Sequence, residues 1–507
     1  MGNKPSINYV ERLPSEREGE SEIFVNAKSA TIPYNNETLS DVWLKAVEKH
    51  HNRPFLGTRG HNEDGSRGEY IWKTYKEIHQ NSRILGSNLL KQNLCPIIEE
   101  TFPIRFVGVH SKNREEYVTL IQASIMYSIT IVPLYDTLGV DVIEYIIDHT
   151  KLSTLFDTQD SLESLCKLKQ ENKISSLKTV VLFDEPSAEQ VQQVKRAGLT
   201  LIRYEDFITS SADELKNPVT PQPDDVFYIS YTSGTTGNPK AAMITHKNMF
   251  HLISATKIES SMTEDDVAIS YLPLAHIAES TMLQSVISNG ASTGFYSGNP
   301  RVIVEDLAEL KPTVFPGVPK VYNRFYDIIQ GKFREATGIK KSLIDRAIAS
   351  KSESFDSSGS VTHMLYDRLI FNKIKAVLGG RVRVMASGAA PLNGEVARFL
   401  QICFAAPIRR MYGQTENTGP ATVTAEGDWV VGHQGGPLPG FRMKVVSVPE
   451  MSYFSTDRDA DGDPLARGEL CISGNTVFRG YYKDPVKTRE AVDEDGWLHT
   501  GDIASVD

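Results

Sequence analysis

The 507-residue sequence predicts an α/β fold, and three observations carry that expectation. Segments with helical spacing of apolar residues alternate with short strand-like runs, as in sheets joined by crossover helices. The run Val226-Phe227-Tyr228-Ile229 is continuously apolar, as a buried strand should be, and it feeds a Ser/Thr/Gly loop at 232–237. The stretch from about 118 to 135 is the most apolar in the chain, yet Gln122, Ser124, Ser128 and Thr130 interrupt it and it meets Pro133. It reads as a buried helix passing into a strand, not as a membrane span.

The other elements follow in chain order. Residues 1–40 read as a polar lead-in without the apolar core of a secretory signal. Met1-Gly2-Asn3-Lys4-Pro5-Ser6 matches the N-myristoylation pattern at Gly2, with an unmodified tail as the competing reading. One myristoyl chain adds only marginal membrane affinity. Ser210, Ser211, Pro218, Pro221 and Pro223 mark 207–225 as a connector. Ile328, Ile329, Phe333, Ile344 and Ile348 give residues 323–350 helical spacing, and a Ser/Asp/Gly-rich break is expected from Ser350 to Thr362. Met364, Leu365, Leu369, Ile370, Ile374, Val377 and Leu378 predict a second amphipathic helix, stopped by Gly379-Gly380. Val382, Val384 and Met385 alternate as a strand ending at Ser387-Gly388, and strand and turn signals dominate from about Gly435 to Tyr482.

Composition narrows the functional classes. Apolar residues make up 40% and charged residues 23%, a globular balance. With 54 Lys and Arg against 64 Asp and Glu the net charge is −10, and no long basic run occurs, so a dedicated nucleic-acid binder is disfavoured. A local phosphate site stays open. Cys95, Cys166, Cys403 and Cys471 are far apart, which supports neither a disulfide framework nor a zinc site. An intracellular location, cytoplasmic or membrane-associated, is expected.

The sharpest feature is Tyr231-Thr232-Ser233-Gly234-Thr235-Thr236-Gly237-Asn238-Pro239-Lys240. Gly234 and Gly237 let backbone N–H groups approach an anion, four hydroxyls add donors, and Lys240 adds a point charge. The spacing is neither that of a P-loop nor that of a dinucleotide fold. Read without chemistry, the run is a polar surface turn, but ten positions agree on phosphate. At this loop the chain resembles the adenylate-forming superfamily of acyl-CoA synthetases, peptide-synthetase adenylation domains and luciferases. That resemblance implies that the loop holds the β- and γ-phosphates of ATP. Ala241 departs from the glycine usual after the lysine.

The resemblance extends to four further motifs. Met411-Tyr412-Gly413-Gln414-Thr415-Glu416 is similar to the family's adenylate motif, which implies Tyr412 on adenine, Thr415 on the α-phosphate and Glu416 on Mg²⁺, with Thr232 as a second Mg²⁺ contact. Physically it gathers a ring, a tight glycine, a hydroxyl and a carboxylate. Ser387-Gly388-Ala389-Ala390-Pro391-Leu392 is similar to the adenine-wall segment and is otherwise an ordinary strand-to-helix turn. Leu272-Pro273-Leu274-Ala275-His276-Ile277-Ala278-Glu279 implies His276 near the reacting carboxylate. Orientation or electrostatic help is its expected role, because a fatty carboxylate is ionised at pH 7 and needs no general base. Gly496-Trp497-Leu498-His499-Thr500-Gly501-Asp502 is similar to the ribose motif, with Asp502 on the diol.

Three stretches resemble eukaryotic long-chain fatty-acyl-CoA synthetases in particular: 131–139, 315–322, and 468–483, together with the helical segment at about 323–378. The implied architecture is a large N-terminal adenylate-forming domain, residues 41–507, built of two β/α subdomains and a β-barrel-like part. The implied chemistry is activation of a long-chain fatty acid by ATP and Mg²⁺ to acyl-AMP, then transfer to coenzyme A. An aryl or shorter-chain ligase, a fatty acyl-AMP ligase, and a non-catalytic nucleotide- or lipid-binding module are the alternatives. Peripheral membrane association suits a lipid substrate. The family continues past the ribose aspartate into a hinge and a small C-terminal domain with a catalytic lysine. The sequence stops at Asp507, so a piece that binds ATP or acyl-AMP but turns over poorly is expected.

Overall fold

The computed structural model describes residues 7–15, 17–135, 140–209, 214–232 and 238–506. Three sheets organise them. The first runs Thr200–Arg203, Thr179–Leu182, Thr154–Asp157, Ile104–His110, Thr130–Leu134, Val226–Thr232, Lys240–Thr245, with Ile97–Ile98 added antiparallel beside Ile104–His110. It is parallel throughout that order except for its last strand, which pairs antiparallel with Val226–Thr232. The second runs Gly436–Pro437, Gly419–Val423, Ile408–Gln414, Val384–Ser387, Val314–Gly317, Val267–Ser270, Ser292–Phe295, Pro54–His61, Arg67–Thr74, parallel at its centre and antiparallel at both ends. The third is a five-stranded antiparallel sheet of Val10–Leu13, Ile23–Asn26, Arg442–Val446, Ala466–Ser473 and Leu498–Val506.

The predicted helix-to-strand passage is present as helix Glu115–Met126 followed by strand Thr130–Leu134, all five residues of which are buried. Burial on both faces explains why the strand is apolar from Ile131 to Leu134. Among the described residues no helix is long and apolar enough to cross a membrane. The four cysteines are buried and unpaired.

Two expectations differ from the structure. The lead-in at 1–40 supplies two strands of the third sheet, and Phe24 and Val25 are buried there. Its strands are only four residues long within an acidic stretch, too short for a periodic signal. The break expected at 350–362 starts later, because helix Gly338–Ser358 continues through the serines. Lys351 and Phe355 anchor its inner face, and exposed serines cost a helix little. It ends where Gly359 adopts φ 70, a position at which a Cβ would strike the Trp429 ring at 2.2 Å.

Three adjacent parallel strands are tied together at their N-terminal edge. Asp266 immediately precedes Val267–Ser270, Thr313 precedes Val314–Gly317, and Arg383 precedes Val384–Ser387. Thr313 Oγ1 donates to Asp266 Oδ1 at 2.6 Å, Arg383 Nε donates to the same oxygen at 2.8 Å, and the Thr263 N–H reaches Oδ2 at 2.8 Å. Burial by itself would raise the Asp266 pKa, but hydrogen bonds from Arg383 and Thr313 overcome it and hold the carboxyl down at about 2. A depressed carboxyl stabilises the fold above its unfolded pKa of about 3.9, and that stability is lost as pH falls towards 2. Asp266→Asn is therefore expected to cost about 1–3 kcal/mol at pH 7. Thermal midpoints measured from pH 7 to pH 2.5 should converge with those of the wild type at the acid end. Parallel curves would show that the carboxylate charge is not what joins the strands.

Candidate active site

The phosphate-loop candidate lies between two antiparallel strands. Thr232 ends one strand, Lys240 begins the next, and the two residues face each other in antiparallel register. Ser233, Gly234, Thr235, Thr236 and Gly237 lie outside the described residues. The outer edge of Lys240–Thr245 is closed by the segment 479–482. The Met243 N–H donates to Gly480 O at 2.9 Å, the Arg479 N–H to Met243 O at 3.0 Å, and the Tyr482 N–H to Ala241 O at 2.9 Å.

That pairing brings Tyr481 between two predicted site residues. The Lys240 ammonium rests 4.9 Å from the centre of the Tyr481 ring, and the Tyr481 hydroxyl donates to Glu416 Oε1 at 2.7 Å. Burial, reinforced by the Glu416 carboxylate, raises the Tyr481 pKa far above its ordinary value. The hydroxyl therefore keeps its proton and acts as a donor to Glu416. Tyr481 stands in a stretch recognised only as a family signature. An aromatic after glycine carries no site signal of its own, so the sequence assigned it no role.

The adenylate candidate spans the end of strand Ile408–Gln414 and the single helical turn Thr415–Asn417. Gly413 crosses Gly419 so closely that a Cβ would fall 1.8 Å from Gly419 O, which requires glycine there. Asn417 Oδ1 accepts from the Gln414 N–H at 2.9 Å and its Nδ2 donates to Gly419 O at 2.6 Å, fixing the turn that presents Thr415 and Glu416. The Phe478 N–H donates to Glu416 O at 2.8 Å.

Tyr412 and Asp502 meet although they lie on different sheets. The Tyr412 hydroxyl donates to Asp502 Oδ2 at 2.7 Å. Burial first, and then Asp502, raises the Tyr412 pKa. The strand just before Asp502 is braced by Glu469. Glu469 Oε1 accepts from the Gly501 N–H at 3.0 Å, and Glu469 Oε2 pairs with His499 Nδ1 at 2.9 Å.

His276 caps helix Ile277–Asn289 with Nδ1 accepting from the Ala278 N–H at 3.2 Å. Its proton then sits on Nε2, free to be donated. The side chain is exposed at its rim, and desolvation of the rest of the ring holds its pKa below the usual histidine value, which favours the neutral imidazole. This fits hydrogen-bond donation better than proton abstraction. The segment before it is strapped to the first sheet: the Tyr228 and Tyr135 hydroxyls both donate to Ala275 O, at 2.6 and 2.7 Å. Asn113 adds bonds to Leu272 O at 2.6 Å and from the Leu274 N–H at 2.8 Å.

A cavity of about 370 Å³ joins these parts. Its wall includes His276, Gly388, Ala389 and the whole Tyr412–Glu416 run. It continues past Ile277, Met262, Met282 and Leu438, which are apolar. Thr232, Lys240, Ala390, Pro391 and Asp502 are not on this wall. Ala389 adopts φ 68, a strained value for alanine, where the chain turns from strand Val384–Ser387 towards helix Gly394–Phe404. Glu416 offers carboxylate oxygens of the kind a hard cation takes, one of them held by the Tyr481 hydroxyl.

Comparison with known proteins identifies the family and the fold. A family model described as AMP-binding enzyme matches residues 43–482. The chain is 39% identical over 472 residues to long-chain-fatty-acid–CoA ligase 1 of Cavia porcellus, covering 92% of this chain and 65% of that one. It is 38% identical over 470 residues to the peroxisomal long chain acyl-CoA synthetase 7 of Arabidopsis thaliana, covering 92% and 64%. The chain thus spans about two thirds of the length of these curated relatives. Among solved structures, the adenylation domain of a Mycobacterium chelonae carboxylate reductase superposes with a TM-score of 0.74 at 24% identity, covering 93% of this chain and 70% of that one. A long-chain-fatty-acid–CoA ligase of Archaeoglobus fulgidus gives 0.68 at 19%, covering 94% and 84%. These likenesses establish the fold as that of adenylate-forming enzymes.

Tyr481→Phe keeps the ring under Lys240 but frees Glu416. Calorimetry should show ATP binding in the presence of Mg²⁺ weakened about tenfold, the value of one hydrogen bond to a charged group, with a thermal midpoint close to that of the wild type. Unchanged affinity would remove Tyr481 from the site.

Proposed function

We propose, from the premise that the chain belongs to the AMP-binding enzyme family, that it is the nucleotide- and acyl-binding part of a long-chain fatty acid–CoA ligase. The observation that carries this reading is the cavity, which starts at the adenylate motif and His276 and continues between apolar side chains. A nucleotide-only site would not need that apolar continuation, and a fatty chain matches it.

The chemistry follows from the residues. A carboxylate is a poor electrophile, and joining it to AMP creates a good leaving group. Attack on the α-phosphorus needs positioning and charge stabilisation more than proton transfer. Lys240 offers an unneutralised charge beside the phosphate loop, and Ser233, Gly234, Thr235, Thr236 and Gly237 supply its N–H and hydroxyl donors. Thr415 donates to the α-phosphate, and His276 Nε2 orients the acyl carboxylate. Tyr412, with Gly388, Ala389, Ala390 and Pro391, holds adenine. Gly413 and Gln414 complete the wall, and Asp502 takes the ribose hydroxyls. Mg²⁺, held by Glu416 with Thr232, would neutralise phosphate charge. Transfer of the acyl group to coenzyme A belongs to the whole ligase. The apolar substrate also suits peripheral association with a membrane.

Palmitate-dependent ATP–pyrophosphate exchange tests the reading. The wild-type chain should prefer long acids over octanoate and benzoate, and Lys240→Ala should lower exchange by at least about 100-fold. Equal rates for the two proteins would refute the phosphate assignment, and preference for an aryl acid would redirect the substrate.

A further inference from the structure

The helical backbone from Met364 to Leu378 has two apolar faces. Its inner face places Ile370, Phe371, Ile374, Val377 and Leu378 in the core that also contains Phe325 and Phe404. Its outer face carries Met364, Leu365 and Leu369, which are 95%, 56% and 48% exposed. Arg368, Asn372 and Lys373 are exposed as well, so exposure recurs in pairs four residues apart: 364/365, 368/369, 372/373. In a pure α-helix such a stripe would drift by about 40° per step. The π turn at Asp367–Phe371 holds more residues per turn and removes part of that drift. The stripe therefore stays on one side.

The exposed charges on the stripe, Arg368 and Lys373, are both basic. From 357 to 394 the chain has five Lys and Arg, of which Arg383 is paired with Asp266, and a single acid, Asp367. That acid is withdrawn from the stripe: Asp367 Oδ1 accepts from the buried Lys351 Nζ at 2.6 Å, and its Oδ2 from the His363 N–H at 2.8 Å. An apolar, basic strip thus stands on a chain whose net charge is −10. Through Gly379-Gly380 the same helix leads into strand Val384–Ser387, which contributes Val384 and Ala386 to the cavity wall.

We propose that this strip docks the protein on an anionic lipid bilayer. Charge complementarity selects the surface: Arg368 and Lys373 meet lipid phosphates and carboxylates while Met364, Leu365 and Leu369 enter the acyl boundary. A fully projecting, flexible Met364 suits a deformable medium, which needs no matching pocket. The benefit of docking rests on the fatty-acid reading, since the bilayer holds the water-insoluble substrate, but docking itself is independent of catalysis.

The test is flotation of the unacylated 507-residue chain with phosphatidylcholine vesicles, with and without about 30 mol% phosphatidylserine. Wild type should float with the anionic vesicles, and much less with neutral vesicles or in high salt. Met364→Ser/Leu365→Ser/Leu369→Ser should weaken binding at least tenfold. Arg368→Gln/Lys373→Gln, which leaves the apolar packing untouched, should do likewise and reads the proposal even where the triple variant folds poorly. Equal binding by wild type and the charge variant, equal binding to neutral vesicles, or no binding by wild type overturns it. So does loss of a wild-type dimer in the triple variant with vesicle binding unchanged, which would assign the strip to self-association. Vesicle binding that persists alongside failed palmitate exchange would leave docking standing and remove only the fatty-acid reading.

Discussion

The structure depends on one backbone joint. A β-strand at the edge of a sheet leaves a row of N–H and C=O groups that must be paired or exposed. The strand Lys240–Thr245 ends the first sheet, and its free row is met by residues 479–482. That segment has just left strand Ala466–Ser473 of the third sheet, and at Phe478 it bonds Glu416 at the margin of the second. All three sheets are therefore held at one place by ordinary main-chain hydrogen bonds. The consequence is chemical: Lys240 from one sheet and Glu416 from another share Tyr481, and neither needs a direct contact with the other.

A second seam has the same logic. The His276 segment belongs to the second sheet but is strapped to the first by Tyr135, Tyr228 and Asn113. Two hydroxyls on the single carbonyl of Ala275 leave little freedom for the residue that follows. Ala389, also on the cavity wall, accepts a strained φ. Such restraint is what a site needs when its catalysis is mainly positioning, because small misplacements of reacting groups are costly.

The sequence made the motifs legible because each concentrates chemistry within a few residues. The strand at 226–232, the helix-to-strand passage near 118–135 and the stop at Gly379-Gly380 were legible from periodicity and turn chemistry. What escaped depends on distance along the chain. Tyr481 acts on Glu416 across 65 positions, and Glu469 braces the Gly501 N–H across 32, with no local pattern to announce either. The strands at Val10–Leu13 and Ile23–Asn26 escaped for a different reason: they are defined by their partners in the third sheet more than by their own periodicity. Ser-rich composition suggested a break where burial of Lys351 and Phe355 sustains a helix.

Net charge proved a poor guide to the site, and the reason is local. Among the described residues no carboxylate forms an ion pair with Lys240. Its ammonium rests on the Tyr481 ring, which attracts a cation without cancelling its charge. An acidic neighbour would hold the lysine equally well but would spend the charge that a phosphate must meet. The Tyr481 hydroxyl meanwhile holds one oxygen of Glu416 by hydrogen bonding, which orients the carboxylate and leaves its negative charge intact for a metal ion. One aromatic side chain thus separates a cation from an anion while positioning both. Within about one Debye length this arrangement outweighs the dispersed excess of acids elsewhere on the surface, which salt screens. The same separation of local from global charge holds at the 364–373 strip, where Lys351 pairs with Asp367 and withdraws that acid from the surface.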